Sequence, residues 1–311
     1  MQAIVTRPTL RNRVSDFMRI HQPVMLAEAL AGLNLCADGI YLDGTFGRGG
    51  HSDAILNAIG PSGFLHAMDQ DPEACDHARK TYGAQKNLRI HHRNFSELRT
   101  LCSELNLTGR INGILLDLGV SSPQLDDAAR GFSFNKEGPL DMRMNPQAGE
   151  SAAQWLAHAQ EEDIANVLFR YGEERNSRRI ARRIVEARVE TPFTTTLQLA
   201  ALIAAVPGPR SRHIHPATRS FQAIRIFINR ELDVLTSTLE QAIEVLAPGG
   251  RLVVISFHSL EDRIVKRYLR AQGQGDAPRI RVLKKLMPTI EESSQNPRSR
   301  SAVLRTAERL P

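Results

Sequence analysis

The 311-residue sequence has few cysteines, no long apolar stretch and no internal repeat. Its three cysteines, Cys36, Cys75 and Cys102, are scattered, which argues against a disulfide framework or a zinc site and is typical of a reducing cytoplasm. No apolar run reaches the ~18 residues that a membrane helix needs. Residues 1–20 carry several arginines but lack the apolar core of a signal peptide, so we expect a flexible arm there. These absences predict a cytoplasmic globular protein that holds no metal.

The glycine fingerprint of dinucleotide-binding proteins is also missing. Four glycines lie between positions 44 and 50, after the apolar run Ile40–Asp43, but their spacing is not Gly-x-Gly-x-x-Gly. A helix is predicted from Ser52, so the loop still has the strand–loop–helix context of a nucleotide-type cofactor site. Asp43 would repel a pyrophosphate and suits a ligand with a positive, hydrogen-donating end, such as S-adenosylmethionine (AdoMet). A plain glycine-rich turn explains this loop equally well when the loop is considered alone.

The positive charge of the chain, whose net value is +6, is clustered. Glutamates lie between the arginines of the first cluster, so a solvated helix face is the better explanation for any single arginine. Three clusters together favour a polyanionic partner, and we expect a nucleic acid. The clusters are Arg170, Arg175, Arg178, Arg179, Arg182, Arg183 and Arg188, then Arg210, Arg212, His213, His215, Arg219, Arg225 and Arg230, and finally Arg279, Arg281, Lys284, Lys285, Arg298, Arg300, Arg305 and Arg309.

Apolar runs alternate with amphipathic stretches in two parts of the chain. This alternation predicts an α/β fold with a doubly wound, largely parallel sheet, in which ligands bind at the carboxyl ends of the strands. Asp43, Asp69 and Asp117 all stand at such ends and are expected to meet at one rim. The predicted strands are Ile40–Asp43, Phe64–Asp69, Leu88–His92, Ile111–Asp117 and Arg251–Phe257, and the helices are Ser52–Ile59, Pro72–Tyr82 and Ser96–Leu105.

Between the fourth and fifth strands the pattern changes to helices only. We therefore expect a sheet domain over 21–128 and 219–311 and a helical insert over 129–218, with a long helix over 219–246 and a closing turn at 247–250. Near the end of the chain, edge strands are predicted at 279–283 and 301–306, with a loop over 291–297. The predicted insert helices are Ser151–Ala159, Glu161–Tyr171, Glu174–Arg188 and Thr195–Ala205.

Two residues at the rim suit a nucleoside. Asp69 follows Asp43 by 26 residues and can accept both ribose hydroxyls, while Asp71 precedes Pro72 and is expected to cap the helix that begins there. Phe95 follows the third strand, where a ring can cover an adenine face. A core phenylalanine that anchors the next helix is the alternative for Phe95.

The fourth strand ends in an acid followed by a Ser-Pro turn. Asp117 and Ser122 could hold the hydrogens of an exocyclic base amine, whose lone pair is delocalised into the ring and is poorly nucleophilic. We therefore predict that these two residues are catalytic; a rigid loop with Asp117 bonded to backbone is the alternative. After the fifth strand, His258 could contact the substrate or carry a proton, although a lone histidine is more often a structural hydrogen-bonding group.

Six motifs together resemble the RsmH (MraW) family of bacterial small-subunit rRNA cytosine-N4 methyltransferases. The resemblance runs from about His21 to the end of the sequence. It implies a class I (Rossmann-like) AdoMet-dependent methyltransferase sheet with an inserted all-helical domain, and a cytidine in the decoding region of 16S rRNA as methyl acceptor. The motifs are HQPVM (21–25), DGTFGRGGH (43–51), DLGVSSPQ (117–124), RGFSF (130–134), GPLDMRM (138–144) and SFHSLEDR (256–263).

The resemblance also implies a set of contact residues. In the usual amino-methyltransferase motif an acid, amide or serine is followed by two prolines and an aromatic. The segment at 122–124 lacks the second proline and the aromatic, so Phe132 or Phe134 is expected to clamp the base. Further RNA contacts are predicted at Arg179, Arg183 and His258. The implied cofactor contacts are Gly49, Gly50, His51, Asp69, Phe95, Asp117 and Gln124, to which the strand-end argument adds Asp43.

Two other functions stay open on the residues alone. A nicotinamide-dependent oxidoreductase is disfavoured by the glycine spacing. A non-catalytic ribosome-assembly factor would bind RNA and use AdoMet only structurally, and retained RNA binding without methyl incorporation would favour it. The sequence also leaves a monomer and a homodimer equally open.

Overall fold

The computed structural model describes residues 23–208 and 214–311, so the predicted arm over 1–20 lies outside the described residues. The helices, in chain order, are α1 (Leu26–Leu33), α2 (Gly50–Ile59), α3 (Pro72–Tyr82), α4 (Leu98–Glu104), α5 (Ser122–Asp126), α6 (Ala152–His158), α7 (Glu161–Gly172), α8 (Ser177–Glu190), α9 (Thr196–Ala205), α10 (Thr218–Ile228), α11 (Glu231–Val245), α12 (Ser259–Gln272) and α13 (Ile290–Gln295). The strands are β1 (Ile40–Asp43), β2 (Phe64–Asp69), β3 (Leu88–His92), β4 (Ile111–Asp117), β5 (Leu246–Ser256), β6 (Ile280–Leu286) and β7 (Val303–Arg309).

The described chain forms two compact units. The sheet unit comprises residues 23–69, 73–118 and 238–311, and the helical unit comprises 70–72 and 119–237. The helical unit is thus larger than the predicted insert over 129–218, because it also takes in the segments 119–128 and 219–237. Among the described residues, no helix is long and apolar enough to cross a membrane.

The sheet unit is built on one seven-stranded sheet in the order β3-β2-β1-β4-β5-β7-β6. Strands β1 to β5 are parallel, and β7 runs antiparallel to both β5 and β6. Leu65, Leu115 and Val253 are fully buried in one core with residues of α1 and α2. Burial on both faces explains why β1, β2, β4 and the second half of β5 are mainly apolar, whereas the edge strand β3 is only partly buried and carries Arg89, His91 and His92. The α/β prediction is confirmed, and strands β1 to β4 have the predicted bounds.

The helical unit has its own apolar core. Helix α7 packs against α8 and α10, and buried side chains such as Trp155, Leu168 and Ile224 fill the space between the helices. At Gly172, the last residue of α7, a Cβ would lie 2.5 Å from the carbonyl oxygen of Arg219. Only glycine therefore permits this close approach of α7 to α10.

The long helix predicted over 219–246 is wrong, because the chain breaks it into α10 and α11. Arg230 adopts a left-handed conformation with φ of 51°. The break is stabilised by Asn229, which donates to the Met142 carbonyl (2.8 Å) and accepts from the Met144 amide (2.7 Å). Arg225 binds Glu231 across the break through two hydrogen bonds of 2.8 Å. No glycine or proline marks this break, so the sequence pattern did not indicate it.

Two smaller predictions near the end of the sheet unit are also wrong. Residues 247–250 form part of β5 rather than a separate closing turn, and the register against β4 shifts there. The loop predicted over 291–297 contains α13, whose first turn is capped by the Thr289 hydroxyl accepting from the Glu292 amide (3.1 Å). The edge strands predicted at 279–283 and 301–306 exist as β6 and β7, with later ends.

Candidate functional site

Asp43, the last residue of β1, is buried beneath the glycine-rich loop and is hydrogen-bonded to residues of that loop and of α2. Its carboxylate is buried and accepts from the Ser52 hydroxyl (2.6 Å) and the Thr45 amide (3.0 Å). Burial raises the pKa of the Asp43 carboxyl, while these hydrogen bonds lower it. Asp43 therefore fixes the path from β1 into α2, and the direct cofactor contact predicted for it is not supported.

Gly49 and Gly50 allow the turn between this loop and α2. Gly49 has φ of 81°, a left-handed conformation in which a side chain is strained, and a Cβ there would lie 2.7 Å from the Phe46 ring. A Cβ at Gly50 would lie 2.4 Å from the Pro23 ring. Packing inside the sheet unit thus requires both glycines, and their predicted cofactor contacts stay a prediction.

His51 lies on the first turn of α2 and connects two parts of the sheet unit. Its Nε2 is 3.1 Å from the Val24 carbonyl oxygen, and its Nδ1 is 3.6 Å from Asp117 Oδ2. A carbonyl oxygen can only accept, so Nε2 carries a proton and donates it to Val24. His51 thus brings its second ring nitrogen close to the Asp117 carboxylate at the end of β4.

Asp117, at the end of β4, is a partly exposed carboxylate with one oxygen unused. Thr45 Oγ1 accepts from the Asp117 amide (2.7 Å), which holds the strand end against the glycine loop. Within the described residues, the buried Oδ1 atom has no hydrogen-bond partner. Burial raises the pKa of Asp117 to about 6; the His51 ring lowers it, and the charges of Asp43 and Glu261 raise it. A shifted carboxyl with an unsatisfied oxygen is typical of a functional site.

Asp69 and Phe95 complete this side of the sheet unit. Asp69 Oδ2 accepts from the Gly47 amide (2.8 Å), so the end of β2 also orders the glycine loop. Phe95 is half-buried at the start of a short 3-10 turn, Phe95–Glu97, that Asn94 caps. A Cβ at Gly44 would lie 3.3 Å from the Phe95 Cβ, which places Phe95 beside the glycine loop. The sheet unit thus gathers Asp43, His51, Asp69, Phe95 and Asp117 at the carboxyl ends of its parallel strands.

Gln124 and Ser122 belong to the helical unit, so the predicted pair of Asp117 and Ser122 is divided between the two units. Ser122 is the first residue of α5 and is half-buried. Gln124 is buried; its Oε1 accepts from the Ser121 amide (2.9 Å) and its Nε2 donates to Asp71 (2.8 Å). Both ends of the amide thus serve the fold, and the roles predicted for these two residues stay predictions.

Asp71, predicted only as a helix cap, takes part in a buried ion pair that the sequence did not reveal. Arg130 Nη1 donates to Asp71 Oδ2 (2.7 Å), and both side chains are almost completely buried. Arg130 Nη2 also donates to the carbonyls of Arg143 (3.2 Å) and Met144 (2.9 Å). The ion pair therefore links residues 70–72, the 3-10 turn Ala128–Arg130 that follows α5, and the backbone at 143–144.

The aromatic clamp predicted for the base is not formed by Phe132. This side chain is only 7% exposed and packs in the core of the helical unit, so it offers no open ring face. The Phe134 ring is partly buried against His215 (centroids 4.6 Å apart) and Phe221 (4.8 Å). Phe132 is a core residue, and a clamp by Phe134 stays a prediction.

The other predicted RNA contacts have different surroundings. Arg179 and Arg183 are exposed on α8; Arg179 donates to the Pro207 carbonyl (3.3 Å) and Arg183 pairs with Glu186 (3.1 Å). His258 instead caps α12, because its Nδ1 accepts from the Glu261 amide (3.4 Å) and Glu261 reaches back to the Phe257 amide (2.9 Å). The structure thus gives His258 the structural role that was the alternative, and it does not support an RNA contact there.

Sequence reasoning missed the residues that hold the acids in place. Thr45 and Ser52 orient Asp43 and the end of β4, and the Val24 carbonyl fixes the tautomer of His51. The one available signal was that two hydroxyl residues follow the strand-end acid within the glycine loop and the first turn of α2. Together these contacts leave one buried carboxylate oxygen, Asp117 Oδ1, without a hydrogen-bond partner among the described residues.

Comparison with known proteins agrees with this geometry. The model of the MraW methylase family matches residues 18–310. The chain is 56% identical over 305 residues to the ribosomal RNA small subunit methyltransferase H of Thioalkalivibrio sulfidiphilus, covering 93% of this chain and 97% of that protein. It is 54% identical over 307 residues to the protein of the same name from Shewanella amazonensis, covering 94% and 98%.

A solved structure of a SAM-dependent methyltransferase from Aquifex aeolicus matches with a TM-score of 0.43 and 11% identity, covering 98% of this chain and 100% of that one. A TM-score of 0.43 is too low to support a conclusion about the function of this protein. The range matched by the family model covers both compact units. The chain belongs to the MraW methylase family.

Proposed function

We propose that this protein transfers a methyl group from AdoMet to the exocyclic N4 of a cytidine in the decoding region of 16S rRNA. Methylation of small-subunit ribosomal RNA is the activity named for both relatives, which match more than nine-tenths of the chain. The structural observation that carries the proposal is the partly exposed Asp117, whose Oδ1 has no partner among the described residues. Such a reaction would take place in the cytoplasm.

The residues of the sheet unit fit AdoMet. When bound, AdoMet supplies an electrophilic methyl group attached to a sulfonium. The Asp69 carboxylate at the end of β2 would accept the ribose hydroxyls, and the half-buried Phe95 ring would cover the adenine. Asp117 Oδ1, an orphaned acceptor, suits a ligand that carries amino hydrogens. His51 Nδ1 lies 3.6 Å from the other oxygen of that carboxylate.

Asp117 also has the properties that N4 chemistry needs. The N4 lone pair of cytosine is delocalised into the ring, so an acceptor that holds an N4 hydrogen favours the tetrahedral nitrogen. When the nitrogen gains a carbon it must lose a proton, and the Asp117 carboxylate can take it. Because its pKa is about 6, Asp117 is mostly ionised at neutral pH and can still hold the proton transiently.

RNA binding is assigned in part to the helical unit. Helix α8 exposes Arg178, Arg179, Arg182 and Arg183 along its length. Contacts with phosphate groups from such a helix fix the position of an RNA without reading its sequence. We therefore assign to α8 a role in holding the substrate and none in the chemical step.

The test is methyl transfer from isotopically labelled AdoMet to small ribosomal subunits from a strain that lacks this activity. The product nucleoside is identified by mass after digestion, and Asp117→Ala protein serves as the control. N4-methylcytidine from the decoding region supports the proposal. A different methylated nucleoside would contradict the N4 assignment. Incorporation into other RNAs only would contradict the substrate assignment.

A further inference from the structure

One helix of the sheet unit has a cationic face that the proposed site does not use. Arg263, Lys266, Arg267 and Arg270 follow the i, i+3, i+4, i+7 spacing, so they share one side of α12. All four are exposed, whereas Val265 and Leu269 on the opposite side are buried. We call this exposed side the α12 surface.

The acidic residues of α12 form no ion pair with Lys266, Arg267 or Arg270. Glu261 is buried at the N-terminus of the helix, and Asp262 is bound by Arg305 through two hydrogen bonds (2.6 and 3.0 Å). Within residues 23–208 and 214–311, the side chains of Lys266, Arg267 and Arg270 form no ion pair. Their charge is therefore available to a partner.

The arginines of α8 in the helical unit differ in this respect. Arg182 faces Glu161 (3.6 Å), and Arg183 faces Glu186 (3.1 Å). Arg188 donates to the carbonyls of Leu156 (2.6 Å) and Ala159 (2.7 Å). Two of the five arginines of α8 thus face a carboxylate, whereas Lys266, Arg267 and Arg270 of α12 face none within the described residues.

Strand β6 continues the cationic region. Gly273 follows α12, and a Cβ there would lie 3.1 Å from the Val282 side chain, so the chain returns closely packed into β6. Lys284 and Lys285 are exposed on this edge strand. Lysines on an edge strand need no further explanation than that they prevent the edge from pairing with another strand. That explanation does not extend to α12, which is a helix.

The net charge of the chain is concentrated here. Residues 259–286 contain eight lysines and arginines but only three acidic residues, against a net charge of +6 for the whole chain. From Arg263 to Arg270 the helix rises about 10 Å, at 1.5 Å per residue. A nucleic acid duplex carries about one phosphate charge per 1.7 Å of its axis, so several phosphates can face this length of helix.

We infer that the α12 surface binds the phosphate backbone of the RNA that this protein methylates, an inference that rests on the proposed function. The surface carries no exposed aromatic ring, so it offers charge without base stacking. Binding there is therefore independent of base sequence and strongly dependent on salt. The sheet unit thus contributes its own grip on the RNA in addition to that of α8.

The test uses the full chain with Lys266, Arg267 and Arg270 all changed to Gln. The matched control changes Lys80, Lys86 and Arg89 to Gln; these three are also exposed cations of the sheet unit, so both proteins lose the same net charge. Affinity for protein-free 16S rRNA and for intact small subunits is measured without AdoMet, from about 50 to about 200 mM salt. Circular dichroism and AdoMet affinity report whether each variant is folded.

We expect the triple α12 variant to bind the rRNA about tenfold more weakly at physiological salt. The slope of log affinity against log salt should become shallower by about three, one unit for each lost phosphate contact. The control should change little. If the triple variant is misfolded, Lys266→Gln alone should still reduce the slope by about one.

Three outcomes would overturn the inference. Equal weakening of both variants would mean that only the overall charge matters. Unchanged affinity and slope would mean that the surface does not touch RNA. Loss of binding to intact subunits with unchanged binding to protein-free rRNA would point to a ribosomal protein as the partner. Because binding is measured without AdoMet, failure of the unmodified protein to methylate would overturn the proposed function separately.

Discussion

Two aspartates, Asp71 in the helical unit and Asp117 in the sheet unit, have opposite surroundings. The buried Asp71 accepts from Arg130 (2.7 Å) and from Gln124 (2.8 Å). Asp117 has one oxygen 3.6 Å from His51, and its other oxygen is without a partner among the described residues. The Asp71 carboxylate is neutralised by the Arg130 guanidinium, whereas the Asp117 carboxylate has one oxygen that can still accept a hydrogen bond.

This difference separates a structural acid from a functional one. Charges that are fully paired in the interior hold segments together, and breaking such a pair is costly. An acceptor left unsatisfied lowers stability unless a ligand uses it, so its retention indicates a function. On this reasoning Asp117 should matter for the reaction and Asp71 for the fold.

The largest effect is expected for Asp117→Ala. Removing the acceptor should lower kcat about 10³-fold, within the range typical of general acid–base groups, while the protein stays folded. The measurement is single-turnover methyl transfer to small subunits, with thermal unfolding in parallel. A normal rate would show that the fourth strand does not carry the reacting group and would remove the distinction drawn between the two acids.

The opposite result is expected for Arg130→Met. It leaves the Asp71 carboxylate buried and unpaired, which should lower the free energy of unfolding by about 3 kcal/mol. Urea unfolding measures this loss. In the double variant Asp71→Asn with Arg130→Met, most of the stability should return, because no buried charge remains. A loss confined to turnover would show that this ion pair belongs to the reaction.

A smaller effect is expected for Asp69→Ala. Loss of a charged acceptor for ribose hydroxyls should weaken AdoMet binding about tenfold or more. Isothermal titration calorimetry measures the dissociation constant. The exposed Asp76 of α3 provides a control, since Asp76→Ala also removes a carboxylate from the sheet unit. Equal dissociation constants for the Asp69 variant and the unmodified protein would contradict the ribose assignment.

The smallest effect is a shift in the pH profile. Because burial raises the pKa of Asp117 to about 6, its reactive ionised form is lost as the pH falls through 6, and kcat should fall with it. The His51 ring lowers this pKa, so His51→Asn should move the inflection to higher pH and reduce kcat near neutrality by a few-fold. A shift to lower pH would contradict the pairing of His51 with Asp117.

The raised pKa of Asp117 can also be tested through the pH dependence of the free energy of unfolding, because proton binding and folding are thermodynamically linked. A carboxyl whose pKa is raised in the folded state stabilises the protein at pH values below its ordinary pKa, near 4. That contribution is lost as the pH rises from about 4 through 6. Asp117→Asn should therefore gain stability relative to the unmodified protein across this window, as measured by urea midpoints.

The sequence predicted the sheet better than the site. The apolar runs of β1, β2 and β4 are short and alternate with amphipathic helices, which is typical of a parallel sheet, so these strands could be placed from the sequence pattern. The break at Arg230 depends on Asn229 and on the Arg225–Glu231 pair, contacts that no local pattern records. His258 shows the same limit, because its spacing from Glu261 fits a helix cap and a catalytic rim equally well.

The errors at the candidate site have a common physical cause. A strand-end acid can face a ligand or turn into its own loop, and only the position of the Ser52 hydroxyl decides this for Asp43. Likewise, an aromatic near the rim can be core, as Phe132 is. Residue type determines which contacts a side chain can make. Whether that side chain is available to a ligand depends on the partners that its atoms already have in the fold.

The position of β7 has a consequence for how the sheet is assembled. This strand lies between β5 and β6 and is hydrogen-bonded to both, although β6 precedes it in the chain. β6 therefore has no partner strand in this sheet until β7, which is synthesised later, is available. The two strands can dock one after the other or as a preformed antiparallel β6–β7 pair, but in either case this edge of the sheet is completed only after residues 303–309 have been synthesised.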